Sequence, residues 1–266
     1  FRDLVMIEQG FLSPNEDPFA FNLISGVILA GITGAVIFGG LNRIAGTARV
    51  LVPLMTGLYL VTVMFALLLN VNAIPEALSL IISDAFTGEA AAGGSVLAVI
   101  LYGVQRGAYS NEAGMGTESL VHGAAKTNEP IREGLVAMLG PIIDTLVVCT
   151  ATALMILIAG TWQSDASQGV TLTANAFSTL LGPAGTFVVF VCVLCFATTT
   201  MFTYSFYGSQ CASFVFGSKH VNTYRVVFVV SIVLIAVISI ESAVSLIDGS
   251  FALMAIPTML SAIVLA

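Results

Sequence analysis

The sequence has 266 residues, of which 58% are apolar and 9% are charged, and its mean hydropathy is +1.02. An ordinary soluble domain carries roughly 25% charged residues, so this composition excludes a soluble enzyme, a nucleic-acid-binding protein and a disordered chain. The net charge is −7, and eight Lys and Arg residues are too few for a polyanion-binding face. The sequence begins at Phe1 and ends inside an apolar run, so we expect a fragment of a longer chain.

Seven apolar runs are long enough, or nearly so, to cross a bilayer as helices, which takes roughly 20 residues each. They cover residues 22–41, 50–70, 95–116, 134–160, 184–212, 226–241 and 245–266. The sequence lacks the alternating segments of a membrane β-barrel, and helices are the other structure that satisfies the backbone in lipid. We therefore predict an all-α integral membrane protein, with about seven transmembrane helices in a single domain over residues 1–266.

Charged residues between these runs predict the orientation, because Lys and Arg mark the cytoplasmic side. The connections that carry basic residues are 41–49, 117–133 and 213–225. The connections between them are acidic, so we expect an extracellular polar stub at residues 1–20 and a C-terminus on the inside. Two outer connections, at 75–86 and 171–181, carry apolar side chains on one helical face and predict short interfacial helices. The alternative for both is a plain loop.

The third run changes halfway along into QRGAYSNEAGMG, where Arg106, Ser110, Asn111 and Glu112 stand among glycines. Charged groups at membrane depth persist where they face a cavity or a partner. Non-helical backbone is tolerated at that depth only where it lines a cavity. A broken helix of this kind exposes backbone groups to an ion or a zwitterion in transporters. The alternative is that the helix ends near Gly107 and a cytoplasmic loop follows.

Two other apolar runs contain polar groups suited to binding. Asp144 lies within the fourth run, where it either binds a cation or pairs with Arg106. The fifth run has three consecutive threonines at 198–200, and Tyr204 follows Thr200 one turn later on the same face. Threonine hydroxyls and the carbonyls of the preceding turn make an oxygen cage for a small hard cation. Ordinary helix packing is the alternative use of these threonines.

The stretch GVQRGAYSNEAGMGTESLVHGAAKTNEPIREG at 103–134 resembles the alanine-or-glycine:cation symporter family, whose pattern is roughly G-V-[KR]-R-G-x-[FY]-S-N-E-A-G-x-G. Further similar stretches are LVAMLGPIIDTLVVCTATALMIL, VIFGGLNRIAGTARVLVPLM and TTTMFTYSFYG. The resemblance implies a leucine-transporter-type fold of two inverted five-helix repeats, with sites at discontinuous helices. The family's G-x-G-N and G-G-x-G motifs are absent, which implies that this chain holds core helices four to ten.

The resemblance also implies the function, which is sodium-coupled or proton-coupled symport of a small neutral amino acid such as alanine or glycine. It implies a monomer in the plasma (inner) membrane of a bacterium or archaeon, without covalent chemistry or a cofactor beyond the coupling ion. The alternatives are a channel, a scaffold and a membrane-embedded enzyme.

Three groups of residues receive roles from the resemblance. The implied substrate-binding residues are Tyr109, Ser110, Asn111, Thr200 and Tyr204. The implied sodium ligands are the Thr199 and Thr200 hydroxyls and the carbonyl of Ala197 or a neighbour. The implied structural or coupling charges are Arg106, Glu112 and Asp144. Many family members have Trp at the position of Tyr204 and Phe at the position of Tyr109, so this chain departs from the family at two substrate positions.

Overall fold

The computed structural model describes residues 19–86, 96–163, 169–238 and 240–265. These residues are mostly helical and include no β-strand, which confirms the predicted all-α class. Six helical segments among them are long and apolar enough to cross a membrane. They are Phe19–Ile37, Gly40–Leu69, Pro130–Ala159, Pro183–Phe216, Ser218–Ala236 and Ser242–Ser261. The remaining predicted run, 95–116, contains a helix of 16 residues, Val96–Asn111. Residues 87–95 lie outside the described part of the chain.

We number the helices in chain order. They are α1 (Phe19–Ile37), α2 (Gly40–Leu69), α3 (Ile74–Phe86), α4 (Val96–Asn111), α5 (Thr117–His122), α6 (Pro130–Ala159), α7 (Val170–Leu181), α8 (Pro183–Phe216), α9 (Val221–Ala236) and α10 (Ile240–Leu265). The helices predicted at 75–86 and 171–181 are confirmed as α3 and α7. Their interfacial position stays a prediction, as does the extracellular stub at residues 1–20, most of which lies outside the described residues.

The predicted connection at 41–49 is wrong, because these residues form the first part of α2. Hydropathy marks the part of a helix that suits lipid, and a helix continues beyond that part where its side chains find packing partners. Here Ile44 is buried against Phe202 and Phe206. The predicted connection at 213–225 is shortened in the same way, since α8 continues to Phe216 and α9 begins at Val221.

The chain divides into two compact units, which are described separately. The first consists of the described residues within Phe1–Tyr59 and Thr186–Ser250, and the second of those within Leu60–Gly185 and Phe251–Ala266. Helices α2, α8 and α10 contribute residues to both units. The prediction of one transmembrane domain over 1–266 stays a prediction.

In the first unit, small residues of α1 allow a close approach of α9. Gly26, Ala30 and Gly34 follow one another at intervals of four and are buried, so they line one face of α1. A Cβ atom on Gly26 would lie 2.7 Å from Ala236 Cβ and 3.5 Å from Val233 Cα. Such small-residue interfaces are typical of membrane helix pairs, because backbone proximity maximises van der Waals contact.

In the second unit, α6 is the central element and contacts α3, α4 and α7. Its thirty residues do not form a regular α-helix throughout. Pro141 has no N–H to donate to the Ala137 carbonyl, and the helix is interrupted by a turn at Met138. Residues Ile142–Cys149 are π-helical, and the α-helix resumes at Thr150. π-helical segments are rare and frequently lie at functional sites. Asp144, which lies in this stretch, is therefore a candidate functional residue.

Candidate functional site

The predicted helix break is present at the C-terminal end of α4. The helix continues through Gly107 and ends at Asn111, four residues after the end that the alternative predicts. The cytoplasmic loop of that alternative stays a prediction. The Asn111 side-chain Oδ1 accepts a hydrogen bond from the Ala113 N–H at 2.9 Å, which turns the chain away from the helix axis. Glu112 has a φ of 56°, the one non-glycine residue with positive φ among the described residues. Because few side chains adopt this conformation, Glu112 marks a constrained backbone.

Two consecutive residues of α4 are bound to two consecutive residues of the π-helical stretch. Ser110 Oγ donates to Asp144 Oδ2 at 2.6 Å, and Asn111 Nδ2 donates to Thr145 Oγ1 at 2.9 Å. We call these four residues the α4–α6 junction. A hydrogen bond to a carboxylate is stronger than one between neutral groups, so the Ser110–Asp144 bond is expected to be the firmer of the two. The structure thus brings together three of the predicted site residues: Ser110, Asn111 and Asp144.

Cys149 is a further residue at this junction. Its Sγ lies 3.6 Å from Ser110 Oγ and 3.9 Å from Asp144 Oδ2. Sequence reasoning did not select Cys149 or assign Thr145 a role. The signal for Cys149 is its spacing of five residues from Asp144, which places two side chains on one face only in a π-helix. The α-helical spacing of three or four residues therefore does not reveal it.

Aromatic rings surround the basic residue of the motif. The Arg106 guanidinium carbon lies 4.9 Å from the centre of the Tyr102 ring and 5.9 Å from that of Tyr109. Both distances are within the range of cation–π attraction. The predicted pairing of Arg106 with a carboxylate stays a prediction. Asp144, the candidate partner, accepts the hydrogen bond of Ser110.

The segment after the break packs against α10 within the second unit. Gly116 has a φ of 90°, and a Cβ atom there would lie 2.7 Å from Thr258 Oγ1. Glycine is therefore required at this position by both conformation and space. Helix α5 starts at the next residue, Thr117, whose buried hydroxyl has no hydrogen-bond partner among the described residues.

A small charged cluster includes two residues of α5. His122 Nδ1 and Glu133 Oε1 are 2.8 Å apart, which connects α5 to the first turns of α6. Glu118, one turn before His122, is partly buried. This burial raises the pKa of Glu118 above its ordinary value, with Glu112 adding to the rise and His122 opposing it. The carboxyl of Glu118 is therefore more easily protonated than that of an exposed glutamate.

In the first unit, the three threonines of α8 have different surroundings. Thr198 and Thr199 are buried, whereas Thr200 is exposed. The Thr199 hydroxyl donates to the Cys195 carbonyl at 2.8 Å and to the Phe196 carbonyl at 3.1 Å, and lies 4.0 Å from Met55 Sδ in α2. The hydroxyl oxygen also carries acceptor lone pairs, so donation to the helix leaves it able to face a cation.

The other predicted residues of α8 share a more accessible face. Ala197 and Thr200 are exposed, and Tyr204, one turn after Thr200, is half-buried. Its ring meets that of Tyr207 at 5.5 Å in an edge-to-face arrangement. Adjacent helix residues point about 100° apart, which explains why Thr199 faces α2 while Thr200 does not. Among the described residues, no group of three or more His, Cys, Asp or Glu side chains is arranged to hold a metal ion.

Comparison with known proteins decides the family. A sequence model of the sodium:alanine symporter family matches residues 9–266. The chain belongs to the sodium:alanine symporter family. This is a family of transporters, so the predicted class of transporter rather than enzyme is confirmed. Together with the six apolar helices, membership makes the chain a multi-pass membrane protein.

The individual proteins to which the chain is similar support this family membership. The chain is 36% identical over 246 residues to the sodium/alanine symporter AgcS of Methanococcus maripaludis, covering 91% of this chain and 54% of that protein. It is 33% identical over 269 residues to the uncharacterized transporter YflA of Bacillus subtilis, covering 98% and 57%. It is 33% identical over 196 residues to a sodium/proton-dependent alanine carrier protein of Bacillus sp., covering 68% and 44%. The chain spans about half the length of these curated relatives.

Proposed function

We propose that this chain is the C-terminal part of a symporter that couples inward movement of sodium to uptake of a small neutral amino acid, alanine or glycine. A proton is the alternative coupling ion, since one relative is named a sodium/proton-dependent carrier. The observation that carries the proposal is the broken helix α4 in a chain of the sodium:alanine symporter family. Broken helices expose backbone groups that no helix partner satisfies, and transporters use these groups to bind ions and zwitterions.

The sodium site is assigned to α8. Sodium needs several oxygen ligands, and Thr199 and Thr200 offer two hydroxyls on successive residues. The carbonyl of Ala197, or of a neighbour such as Phe196, adds a third oxygen one turn earlier. The Thr199 hydroxyl already points at the Cys195 and Phe196 carbonyls. This orientation gathers oxygen atoms from two turns of one helix and supports the assignment.

The substrate-binding residues that we propose from the family resemblance fall into two groups, each described within its own unit. Tyr109, Ser110 and Asn111 lie at the end of α4, and Thr200 and Tyr204 lie on the accessible face of α8. The last four carbonyls of a helix have no intrahelical partner, so the end of α4 offers acceptors to a substrate ammonium group. In each group a half-buried tyrosine ring, Tyr109 or Tyr204, limits the size of the side chain that fits beside it, which favours a small amino acid.

The charges near the break are assigned a coupling role. Asp144 receives the Ser110 hydroxyl at 2.6 Å, so a change in the end of α4 reaches α6 directly. Arg106 and Glu112 flank the same motif. A ligand shifts a conformational equilibrium by its difference in affinity for the two states, and these charges change the energy of each state. We further propose a monomer in the plasma membrane, with the N-terminus outside and the C-terminus inside.

Counterflow in liposomes tests the function. The full-length protein that carries this chain is reconstituted into vesicles loaded with unlabelled alanine, and entry of labelled alanine is measured with and without sodium. A symporter exchanges the label in a sodium-dependent manner and accumulates it when a sodium gradient is imposed.

Two results would contradict the proposal. A channel equilibrates the label without counterflow accumulation, and a scaffold leaves the vesicles empty of label. Choline in place of sodium is the ionic control. An inward pH gradient applied without sodium distinguishes proton coupling from sodium coupling.

A further inference from the structure

We infer that Gln105 and Phe251 are specificity-determining positioning residues, because together they fix the orientation of the Tyr109 ring. The inference rests on the proposed function, in which Tyr109 borders the substrate. It adds two residues that neither the sequence motif nor the family comparison assigns to a role. All three residues belong to the second unit.

The hydroxyl end of Tyr109 is held by its own helix. Gln105 lies one turn earlier in α4, and its Nε2 donates to the Tyr109 hydroxyl oxygen at 2.9 Å. Residues four apart in a helix share a face, so this bond forms without bending α4. The bond occupies one acceptor position of the phenol oxygen. The tyrosine hydroxyl, which a phenylalanine lacks, is therefore engaged by the protein as an acceptor, and its own O–H remains available to donate.

The ring of Tyr109 is held from another helix. Its centre lies 4.8 Å from that of Phe251 in α10, with an angle of 34° between the ring planes. This distance is within the range of favourable aromatic pairs. Both rings are half-buried. Rotation of Tyr109 about χ1 would break the ring pair and the Gln105 hydrogen bond together, so the two contacts fix a single rotamer.

A fixed ring gives the substrate space a fixed wall. A larger amino acid is accommodated only if Tyr109 rotates, and rotation costs both contacts. Selectivity for a small side chain then depends on Phe251 and Gln105, although neither needs to touch the substrate. This arrangement also gives a reason for tyrosine at position 109, since phenylalanine would lose the hydrogen bond from Gln105.

The test is the ratio of kcat/KM for alanine to kcat/KM for leucine, measured by sodium-driven uptake into liposomes with the full-length protein. We expect Phe251→Ala to lower this ratio by roughly three- to tenfold, the range of an aromatic pair contribution. Phe251→Leu, which keeps much of the volume, should lower it less. Tyr102→Phe is the matched control, because Tyr102 is an exposed tyrosine of the same helix that also lies under Arg106. It should leave the ratio unchanged.

A double-mutant cycle tests the hydrogen bond separately. Gln105→Leu should lower the ratio, and adding it to Tyr109→Phe should have little further effect, because the hydroxyl that it serves is already gone. Elution as a single species from size exclusion confirms that each variant folds. If Phe251→Ala does not fold, Phe251→Leu and the cycle decide the question.

Three outcomes overturn the inference. A Phe251 variant that lowers kcat equally for alanine and leucine makes Phe251 a packing residue, and an additive cycle removes Gln105 from the mechanism. Either result leaves the proposed function intact. Failure of the wild-type protein to take up any small neutral amino acid overturns the proposed function, and this inference fails with it.

Discussion

The α4–α6 junction and the threonines of α8 use similar chemical groups but are built in opposite ways. At the junction the backbone leaves the helix, and Ser110 and Asn111 are held by residues 34 positions away in the chain. In α8 the helix is continuous over 34 residues, and Thr199 donates to carbonyls three and four residues earlier. The first site depends on contacts between elements, whereas the second is largely built by one helix.

The difference predicts how each region responds to change. A site made by one helix keeps its own geometry when a neighbouring element moves, so a change in its ion affinity must come from ligands on other elements. A site made between elements changes whenever either element moves, which suits a substrate contact that reports the state of the transporter. Variants of each region test this distinction.

The largest effect is expected at Asp144. Asp144→Ala removes the acceptor of the Ser110 hydroxyl, and hydrogen bonds to charged groups contribute about 1.5–3 kcal/mol. Initial uptake of labelled alanine by the full-length protein should fall by roughly tenfold to a hundredfold. Glu76→Gln, at an exposed acid of α3, should leave uptake unchanged. Normal uptake by Asp144→Ala would show that the junction is not part of the transport cycle.

The next effect is expected at Gly116. Gly116→Ala forces a side chain into the left-handed region and against Thr258, with a conformational cost of about 1–2 kcal/mol. The apparent unfolding temperature in detergent should fall. Gly103→Ala is the matched control, because a Cβ atom at this helical glycine of α4 meets no atom within 4 Å. An equal response of the two variants would contradict the close packing of Gly116.

Thr199 and Thr200 test the site built by one helix. Thr199→Val keeps the volume but removes the hydroxyl, so the sodium concentration for half-maximal uptake should rise about three- to tenfold. Thr200→Ala should raise it as well, and Thr200→Ser, which keeps the hydroxyl, should be milder. Thr203→Val is the control, since its hydroxyl donates to the Thr199 carbonyl in the same way. An unchanged sodium requirement in both Thr199→Val and Thr200→Ala would show that these threonines serve helix packing and do not bind sodium.

A substitution of Tyr204 should change substrate preference without changing the sodium requirement. Tyr204→Trp places a larger ring on the accessible face of α8, so the relative uptake of glycine and alanine should change while the sodium requirement stays near that of the wild type. Competition between the two amino acids measures the first quantity, and sodium titration measures the second. A shift in the sodium requirement alone would assign Tyr204 to the ion site and contradict its assignment to the substrate site.

The smallest effect is expected at Glu118 in α5. Its raised pKa means that ionisation is less favourable in the folded state than in the unfolded state. The resulting loss of stability is absent near pH 3, where both states are protonated. It develops as the pH rises from the unfolded-state pKa through the folded-state pKa. Glu118→Gln should therefore raise the unfolding temperature slightly at pH 7 and not near pH 3. A difference that persists near pH 3 would exclude ionisation as its cause.

The two regions also differ in how far the sequence predicted them. The end of α4 was predicted correctly because its causes are local: Asn111, Glu112 and two glycines, Gly114 and Gly116, lie within six consecutive residues. The shared face of Thr200 and Tyr204 was predicted from a spacing of four. The different surroundings of Thr199 and Thr200 were not predicted, since the burial of Thr199 depends on Met55, 144 residues away. The Ser110–Asp144 bond was missed for the same reason, and the helical start of α2 was missed because hydropathy does not mark helix ends.

The π-helical stretch at Ile142–Cys149 changes what a deletion in α6 would do. A hydrogen bond from residue i to i+5 accommodates one residue more than the α-helical pattern, and each residue of an α-helix turns the chain by about 100°. Removal of one residue between Ile142 and Cys149 would therefore let this stretch close into an α-helix, with the following segment, Thr150–Ala159, keeping its orientation. Ala151 and Met155, both buried, would stay against their neighbours. The same deletion after Thr150, where the helix has no residue to spare, would turn the rest of the segment by about 100°.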